Sequence, residues 1–238
     1  MVSSLQLLFS GVEAFEDLKL FRTMIGSLQY LTITRPNFSF AVNKISQFMH
    51  APLLPHWKAT KRILRYLQGT KKLGLAFHKC SDTRFYAFFD SDWAANIEDR
   101  RSVFGFCVYF GTNLVSWSCR KQSTISRSST KAEFRSLASC EAELVWLQNL
   151  FHELDVSLLT PPTIHCDNLS TVLRMHNPIL QDKTKHFQLE IRLIRDKLRN
   201  NSLHIVHIPG AEQIADIFTK PLSATSFERL RIKLRVTL

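Results

Sequence analysis

Four acidic residues of this 238-residue chain lie where a sequence pattern begins or ends, rather than within a charged, solvated stretch. They are Asp90, which follows an aromatic-rich run, Glu133 at the start of a long helical pattern, Asp167 at the end of a short extended run, and Asp216 after a turn. Oxygen ligands without a His or Cys cluster suit Mg²⁺ or Mn²⁺ rather than zinc. Two such ions about 4 Å apart can activate water for phosphodiester hydrolysis. The four acids are therefore candidate metal ligands.

Three of these acids also have a purely structural explanation. Glu133 follows Thr130 with the spacing of a capping box, so its carboxylate could only cap a helix. Asp167, or Asn168 beside it, could cap the helix that follows, and Asp216 could lie on an exposed turn. Each explanation is reasonable for one residue, but four coincidences are less plausible than one site.

Asp90 is the hardest of the four to explain structurally. A carboxylate in a strand next to four aromatic residues is costly to bury unless it is paired, exposed at an edge or bound to a metal. Carboxylates near strand ends in an open α/β sheet usually face the ligand site. Asp92 lies on the same face of the strand, so the residues alone leave either acid as the functional one.

The hydrophobic periodicity predicts the elements that must position these acids. Extended patterns predict five strands, at 84–92, 103–110, 114–118, 163–167 and 203–208, with a tight turn at 111–113. Helical patterns predict a long helix at 130–154, a second helix at 184–199 and a helical turn around 215–216. This order of elements predicts an α/β fold with a mixed sheet.

The sequence before the first strand is helical in character. A helix starts around 34–36, where a proline falls in the first turn, and another runs over 55–68 and stops at Gly69. We therefore divide the chain into a loosely ordered N-terminus, a helical segment, an α/β domain and a basic C-terminal helix. Their predicted ranges are 1–17, 18–80, 81–222 and 223–238.

Most of the net positive charge belongs to the N-terminal part of the chain. The whole chain carries 31 Lys and Arg against 20 Asp and Glu, a formal charge of +11, which favours a polyanionic partner. Residues 1–80 alone carry 11 Lys and Arg against 3 Asp and Glu. Four cations, Lys58, Lys61, Arg62 and Arg65, share one face of the second predicted helix. They are either a solvated helix face or a surface that binds nucleic-acid phosphates without reading sequence.

The cysteines and the apolar runs indicate the cellular compartment of the protein. The five cysteines are widely spaced without a C-x-x-C pair, which predicts reduced thiols and neither disulfide partners nor a zinc knuckle. The apolar run at 5–9 has no basic flank, so we expect no signal peptide. No stretch approaches the roughly 20 apolar residues of a membrane helix. We therefore expect an intracellular protein of the cytoplasm or nucleus, with no membrane partner.

Ordered motifs carry a family resemblance from about residue 18 onward. In the helical segment they are G-S-L-Q-Y-L at 26–31, T-R-P at 34–36 and K-R-I-L-R-Y-L at 61–67. In the α/β part they are D-S-D-W-A at 90–94, D-R-R-S at 99–102, S-W-S at 116–118, S-S-T at 128–130, A-E-F at 132–134, C-D-N at 166–168, T-K-H at 184–186 and A-D-I-F-T-K-P at 215–221. The chain resembles the C-terminal part of copia-type retrotransposon Pol polyproteins, from the end of the reverse transcriptase region through the ribonuclease H domain.

The resemblance implies a fold, an activity and a set of ligands. The fold is ribonuclease H-like, a five-stranded mixed sheet with helices on both faces, preceded here by a small helical module. The activity is hydrolysis of the RNA strand of RNA–DNA hybrids with two Mg²⁺ or Mn²⁺ ions. The family's metal-binding acids map onto Asp90, Glu133, Asp167 and Asp216, which favours Asp90 over Asp92. A polymerase part of a retroelement polyprotein is the implied protein partner.

A second hypothesis is not enzymatic. No adjacent pair of aspartates occurs, so the sequence lacks a Y-x-D-D-like polymerase motif, and the chain looks like the end of a longer polyprotein pattern. A truncated or co-opted remnant could bind nucleic acid through its basic N-terminal module without cleaving it. A DDE-type integrase is a weaker alternative, because the helix-borne Glu133 fits the ribonuclease H arrangement better.

Overall fold

The chain forms two units, each described here by itself. The computed structural model describes residues 7–8, 11, 13–96, 98–158, 160–177 and 185–238. Its helices are α1 Leu18–Leu31, α2 Ser39–Ser46, α3 Leu54–Gly69, α4 Ser129–Glu153, α5 Leu169–His176, α6 Lys185–Arg199, α7 Asp216–Thr219 and α8 Ala224–Lys233. Its strands are β1 Gly74–Leu75, β2 Phe85–Asp92, β3 Val103–Phe110, β4 Asn113–Lys121, β5 Thr163–Cys166, β6 His204–His207 and β7 Val236–Thr237. The helical unit comprises Met1–Ala76 with Lys220–Leu238, and the α/β unit comprises Phe77–Thr219.

The helical unit is built on amphipathic helices. Phe21, Ile25 and Leu28 recur at helical spacing along α1 and are almost fully buried. They share a core with residues of α2 and α3, including Val42 and Ile63. A short 3-10 turn, Pro36–Phe38, precedes α2, so the proline predicted in a first helical turn begins this turn instead.

The two ends of the helical unit are joined by hydrogen bonds. Strand β1 pairs antiparallel with β7, so residues near the C-terminus belong to this unit, whereas the sequence pattern predicts 223–238 as a segment of its own. Within 1–17, expected to be loosely ordered, residues 1–6, 9–10 and 12 lie outside the described residues. Ala14 forms a bridge with Leu53, and the Phe15 ring stacks on Trp57 at 4.8 Å.

The α/β unit is organised by a five-stranded sheet in the order β4-β3-β2-β5-β6. Strand β3 pairs antiparallel with both β4 and β2, whereas β5 pairs parallel with both β2 and β6. Strand β2 therefore lies at the boundary between the antiparallel and the parallel parts. Since β2 and β5 are adjacent and parallel, residues at their carboxyl ends lie at one edge of the sheet.

Helices cover both faces of this sheet. Phe85, Ala87 and Phe89 of β2 point to one face and share a core with Phe134 and Leu137 of α4. The other face carries the alternate residues, and here α7 packs against β2 and β3. The five-stranded mixed sheet with helices on both faces, predicted from the sequence, is confirmed. Among the described residues no helix combines the length and apolar composition needed to cross a bilayer.

Several element bounds differ from the predicted ones. Strand β4 continues to Lys121, three residues beyond the predicted end, because this edge strand tolerates the polar side chains that suggested its end. Helix α5 follows β5 directly, where the sequence indicates only a helix to be capped. The predicted helix start at 184 lies outside the described residues, and α6 is described from Lys185.

Candidate metal centre

Three of the four predicted acids converge. Asp90, Asp167 and Asp216 each offer a carboxylate oxygen, and these oxygens all lie within 4.8 Å of one another. They come from a strand, a strand end and a helix start that are far apart in sequence. Three carboxylates at this separation can share one cation, and their mutual repulsion makes a cation favourable.

Asp90 is the buried member of the three and is only 2% exposed. It lies in β2 directly opposite Gly105 of β3. A Cβ at position 105 would lie 2.4 Å from the Cβ of Phe218 in α7. Glycine at this position therefore lets α7 pack directly against the sheet beside Asp90.

Asp167 follows β5 and is held by a buried amide. Gln213, 1% exposed, donates from Nε2 to the Asp167 Oδ1 at 3.2 Å and to the Phe89 carbonyl at 2.9 Å. Its Oε1 accepts from the Ala215 amide at 3.2 Å. One side chain thus links β2 at Phe89, the residue after β5 and the segment that precedes Asp216.

Asp216 is the first residue of α7, and the same helix contacts Asp90. The hydroxyl of Thr219 donates to Asp90 Oδ2. Gln213 and Thr219 therefore flank Asp216 by three residues on either side, and each donates to one of the other two aspartates. The segment 213–219 supplies one carboxylate of the triad and orients the two others.

Glu133 lies near the triad, in α4, without belonging to the group within 4.8 Å. Burial raises the pKa of the Cys166 thiol far above its ordinary value, and the negative charge of Glu133 adds to this shift, followed by those of Asp167 and Asp90. The three acids therefore lie within electrostatic reach of one buried thiol. Glu133 is itself 7% exposed, which is unusual for a carboxylate that has only a surface role.

The capping explanations do not account for these acids. The N-cap of α4 is Ser128, whose side chain accepts from the Lys131 amide, so Glu133 lies beyond the capping position. The N-cap of α5 is Asn168, whose Oδ1 accepts from the Thr171 amide at 3.2 Å. Asn168 therefore takes the capping role, and the carboxylate of Asp167 lies in the triad.

Two further residues, Asp92 and His207, do not belong to the acidic triad. Asp92 lies at the end of β2 and is not a member of the triad. His207 is exposed at the end of β6. Its Nε2 lies 3.2 Å from the Asp167 backbone carbonyl, so it contacts the backbone of this segment.

The donor set of the triad fits hard divalent cations. All three groups are carboxylates, and no imidazole or thiolate belongs to the group found among the described residues. Oxygen-only ligation is typical of Mg²⁺ and Mn²⁺, whereas zinc sites favour nitrogen and sulfur. All five cysteines are free thiols.

The predicted basic residues lie on one helix of the helical unit. Lys58, Lys61, Arg62 and Arg65 are all exposed on α3 and are called the α3 stripe below. The Lys61 ammonium lies 5.8 Å from the centre of the Trp57 ring. In the described part of the chain, no salt bridge involves any of the four.

Sequence reasoning did not identify Gln213 and Thr219 as site residues. Thr219 belongs to the motif at 215–221, but nothing in a single sequence says which carboxylate its hydroxyl contacts. Gln213 is a polar residue before two apolar ones in a turn, and its burial depends on contacts 124 residues away in sequence. Only the folded chain reveals either role.

Similar sequences identify the family to which this chain belongs. The retrovirus-related Pol polyprotein from transposon RE1 of Arabidopsis thaliana is 41% identical over 230 residues, which cover 97% of this chain and 16% of that protein. The corresponding polyprotein from transposon RE2 of the same plant is 42% identical over 216 residues, 91% of this chain and 15% of that protein. This chain belongs to the copia-type retrotransposon Pol family. The resemblance inferred from its motifs is confirmed.

The remaining comparisons concern models and solved structures. No protein-family model matches the sequence. The crystal structure of LC11-RNase H1 in complex with an RNA/DNA hybrid is similar at 16% identity and a TM-score of 0.42, covering 57% of this chain and 94% of that one. The chain spans about one sixth of the length of its RE1 and RE2 relatives.

Proposed function

We propose that this chain hydrolyses the RNA strand of RNA–DNA hybrids with divalent metal ions, as part of retrotransposon reverse transcription. The convergence of Asp90, Asp167 and Asp216 carries the proposal, because it brings three metal-binding groups together in a ribonuclease H-like fold. Membership in the Pol family supports the hybrid as substrate, since reverse transcription leaves template RNA paired with DNA.

The acids would hold two Mg²⁺ or Mn²⁺ ions. Asp90, Asp167 and Asp216 would bind through their carboxylates, and Glu133 would complete the ligand set from α4. The bound ions would activate the attacking water and stabilise the leaving oxygen. Thr219 and Gln213 keep the carboxylates of Asp90 and Asp167 oriented before any ion binds, which reduces the reorganisation that binding requires.

Affinity for the hybrid has to come from outside the acidic triad. Carboxylates repel a polyanion until cations neutralise them, so positively charged surfaces must hold the backbone. The α3 stripe, with Lys58, Lys61, Arg62 and Arg65 exposed and free of salt bridges among the described residues, suits this task. We expect it to bind phosphates without sequence preference.

Cleavage of a labelled hybrid in Mg²⁺, with and without EDTA, tests the proposal. Asp90→Asn and Asp167→Asn should each abolish cleavage with little change in the far-ultraviolet circular dichroism, because amides replace the charged ligands at equal size. Asp92→Asn is the matched control on the same strand and should retain activity. Undiminished cleavage by both the Asp90 and Asp167 variants would contradict their assignment as metal ligands. Loss of cleavage in the Asp92 variant alone would identify Asp92 as the ligand instead.

The non-enzymatic hypothesis gives a different result in the same assay. A remnant that only binds nucleic acid would retain the hybrid in a mobility-shift gel while leaving the RNA intact in Mg²⁺ and in Mn²⁺. Binding without cleavage by the unmutated chain would therefore favour that hypothesis over an active nuclease.

A further inference from the structure

Trp93 presents an aromatic face to solvent three residues beyond Asp90. Its side chain is 47% exposed, although tryptophan is usually well buried. Its indole Nε1 donates to the Ser126 carbonyl at 2.8 Å. The polar edge of the ring is therefore hydrogen-bonded to the protein, while part of the apolar ring remains open.

The group that anchors Trp93 is itself firmly held. Ser126 is 2% exposed, its hydroxyl donates to Gln122 Oε1 at 2.9 Å, and it accepts from the Arg135 guanidinium at 2.9 Å. Gln122 in turn donates to the Ala132 carbonyl at 3.0 Å, immediately before Glu133. The indole is thus positioned by buried hydrogen bonds that extend to the first turns of α4, which carries one of the predicted metal ligands.

Trp93 directly follows β2, the strand that carries Asp90. Residues in a strand advance about 3.3 Å each, so the Trp93 backbone lies on the order of 10 Å beyond that of Asp90. Ala94, with φ of 53°, turns the chain immediately afterwards. Arg127 follows the anchoring Ser126, is exposed, and forms no salt bridge within the described ranges. The Trp93–Ser126 hydrogen bond therefore joins a segment that follows the strand of Asp90 to a segment that carries an exposed guanidinium and leads into the helix of Glu133.

We propose that Trp93 and Arg127 form a nucleic-acid contact that seats one strand of the RNA–DNA hybrid beside the metal centre. The indole face contacts the sugar and base edge, and the Arg127 guanidinium contacts a phosphate. Fixed aromatic rings next to cations are the usual chemistry for holding a nucleic-acid strand without sequence readout. This inference rests on the proposed function and adds a substrate contact that the carboxylates do not provide.

Trp146 provides a matched control in the same unit. It is 57% exposed on α4, and 13 residues of helix separate it from Glu133, which is about 20 Å at 1.5 Å per residue. The two tryptophans therefore have similar exposure but different distances from the metal centre. A general effect of removing a surface tryptophan would appear in both variants.

The test measures dissociation constants of the full chain for a fluorescein-labelled RNA–DNA hybrid in EDTA, where no cleavage occurs. Trp93→Ala should weaken binding by about tenfold, because the sugar and base edge lose their contact with the indole face, and Trp146→Ala should leave it unchanged. Arg127→Gln should weaken binding less and reduce its salt dependence, since a single phosphate is no longer neutralised. Trp93→Phe keeps an aromatic face and should restore part of the affinity.

Tryptophan fluorescence gives a second readout that does not depend on the alanine variant folding. Hybrid binding should quench the unmutated chain and Trp146→Phe equally, and Trp93→Phe should be quenched less, with a remainder from Trp57 beside Lys61 of the α3 stripe. Equal quenching in the unmutated chain and in Trp93→Phe, or equal affinity of Trp93→Ala and the unmutated chain, would overturn the contact.

The outcomes separate this contact from the proposed function. If Trp93→Ala binds normally while Asp90→Asn loses cleavage, the nuclease assignment stands and the Trp93 contact is wrong. If Trp93→Ala binds weakly but the unmutated chain never cleaves, the contact stands and the nuclease assignment fails. A chain that neither binds the hybrid in EDTA nor cleaves it in Mg²⁺ overturns both.

Discussion

The acidic triad of the α/β unit and the basic α3 stripe of the helical unit are built in opposite ways. The stripe consists of neighbours on one helix, at spacings that any α-helix brings to one face. The triad joins three elements, and the hydrogen bond from Thr219 to Asp90 spans 129 residues. The stripe therefore depends on local structure alone, whereas the triad depends on the complete packing of its unit.

The largest effect is expected from Gly105→Ala. The added Cβ would lie 2.4 Å from the Phe218 Cβ and 3.1 Å from the Ser118 carbonyl, so α7 has to move. We expect cleavage to be abolished and the unfolding free energy to fall by about 1–3 kcal/mol, the usual cost of overpacking. Hybrid cleavage and urea unfolding measure the two effects.

Gly26→Ala is the matched control in the helical unit. A Cβ there would meet no atom within 4 Å, and the residue is an exposed position of α1. The change should stabilise the chain by roughly 0.5–1 kcal/mol through helix propensity and leave cleavage unchanged. Equal effects of the two alanine variants would mean that the triad does not depend on the packing of α7.

Gln213→Ala should act next most strongly, because it removes the amide that orients Asp167 and links it to β2. Loss of such a supporting hydrogen bond typically lowers metal affinity by about 10–100-fold. Isothermal titration calorimetry of the metal-free chain with Mn²⁺ measures this metal affinity directly. Unchanged Mn²⁺ affinity in a folded Gln213→Ala variant would show that Asp167 needs no such support.

Neutralising the α3 stripe should have a smaller and different effect. Changing Lys58, Lys61, Arg62 and Arg65 to Gln should weaken hybrid binding and flatten its salt dependence, by about 0.9 in the logarithmic slope for each phosphate that the chain no longer binds. Mn²⁺ affinity should not change. The pair Arg62→Lys with Arg65→Lys keeps the charge and should keep the slope. An unaltered slope in the neutralised variant would identify the stripe as a solvated helix face.

The smallest effect concerns a local feature inside the α/β unit. Ser128→Ala removes the N-cap of α4 and should lower the unfolding free energy by about 1 kcal/mol. Thr130→Ala, at the position that the capping-box spacing suggested, should cost less, because Thr130 is inside the helix. A thermal melt of both variants measures the difference, and a larger destabilisation by Thr130→Ala would contradict the cap assignment.

The sequence predicts the features that depend on local structure better than those that depend on long-range packing. The sequence predicts strand β3 with its observed bounds and α4 within one residue, because alternation and helical periodicity are local signals. The convergence of Asp90, Asp167 and Asp216 is predictable because parallel strands bring their carboxyl ends together and because the family motifs mark these acids. The roles of Gln213 and Thr219 are not predictable, since a hydrogen bond between distant segments leaves no periodic signal in the sequence.

The position of segment 213–219 has a consequence for the time at which the site forms during synthesis. Ribosomes add roughly 5–20 residues per second, so the 129 residues between Asp90 and Thr219 correspond to about 6–25 seconds. During that interval Asp216 is absent, and so are the donors Thr219 and Gln213, which orient Asp90 and Asp167. A nascent chain therefore completes the acidic triad only after the last element of the α/β unit has emerged, and the cleavage that we propose would be delayed until then.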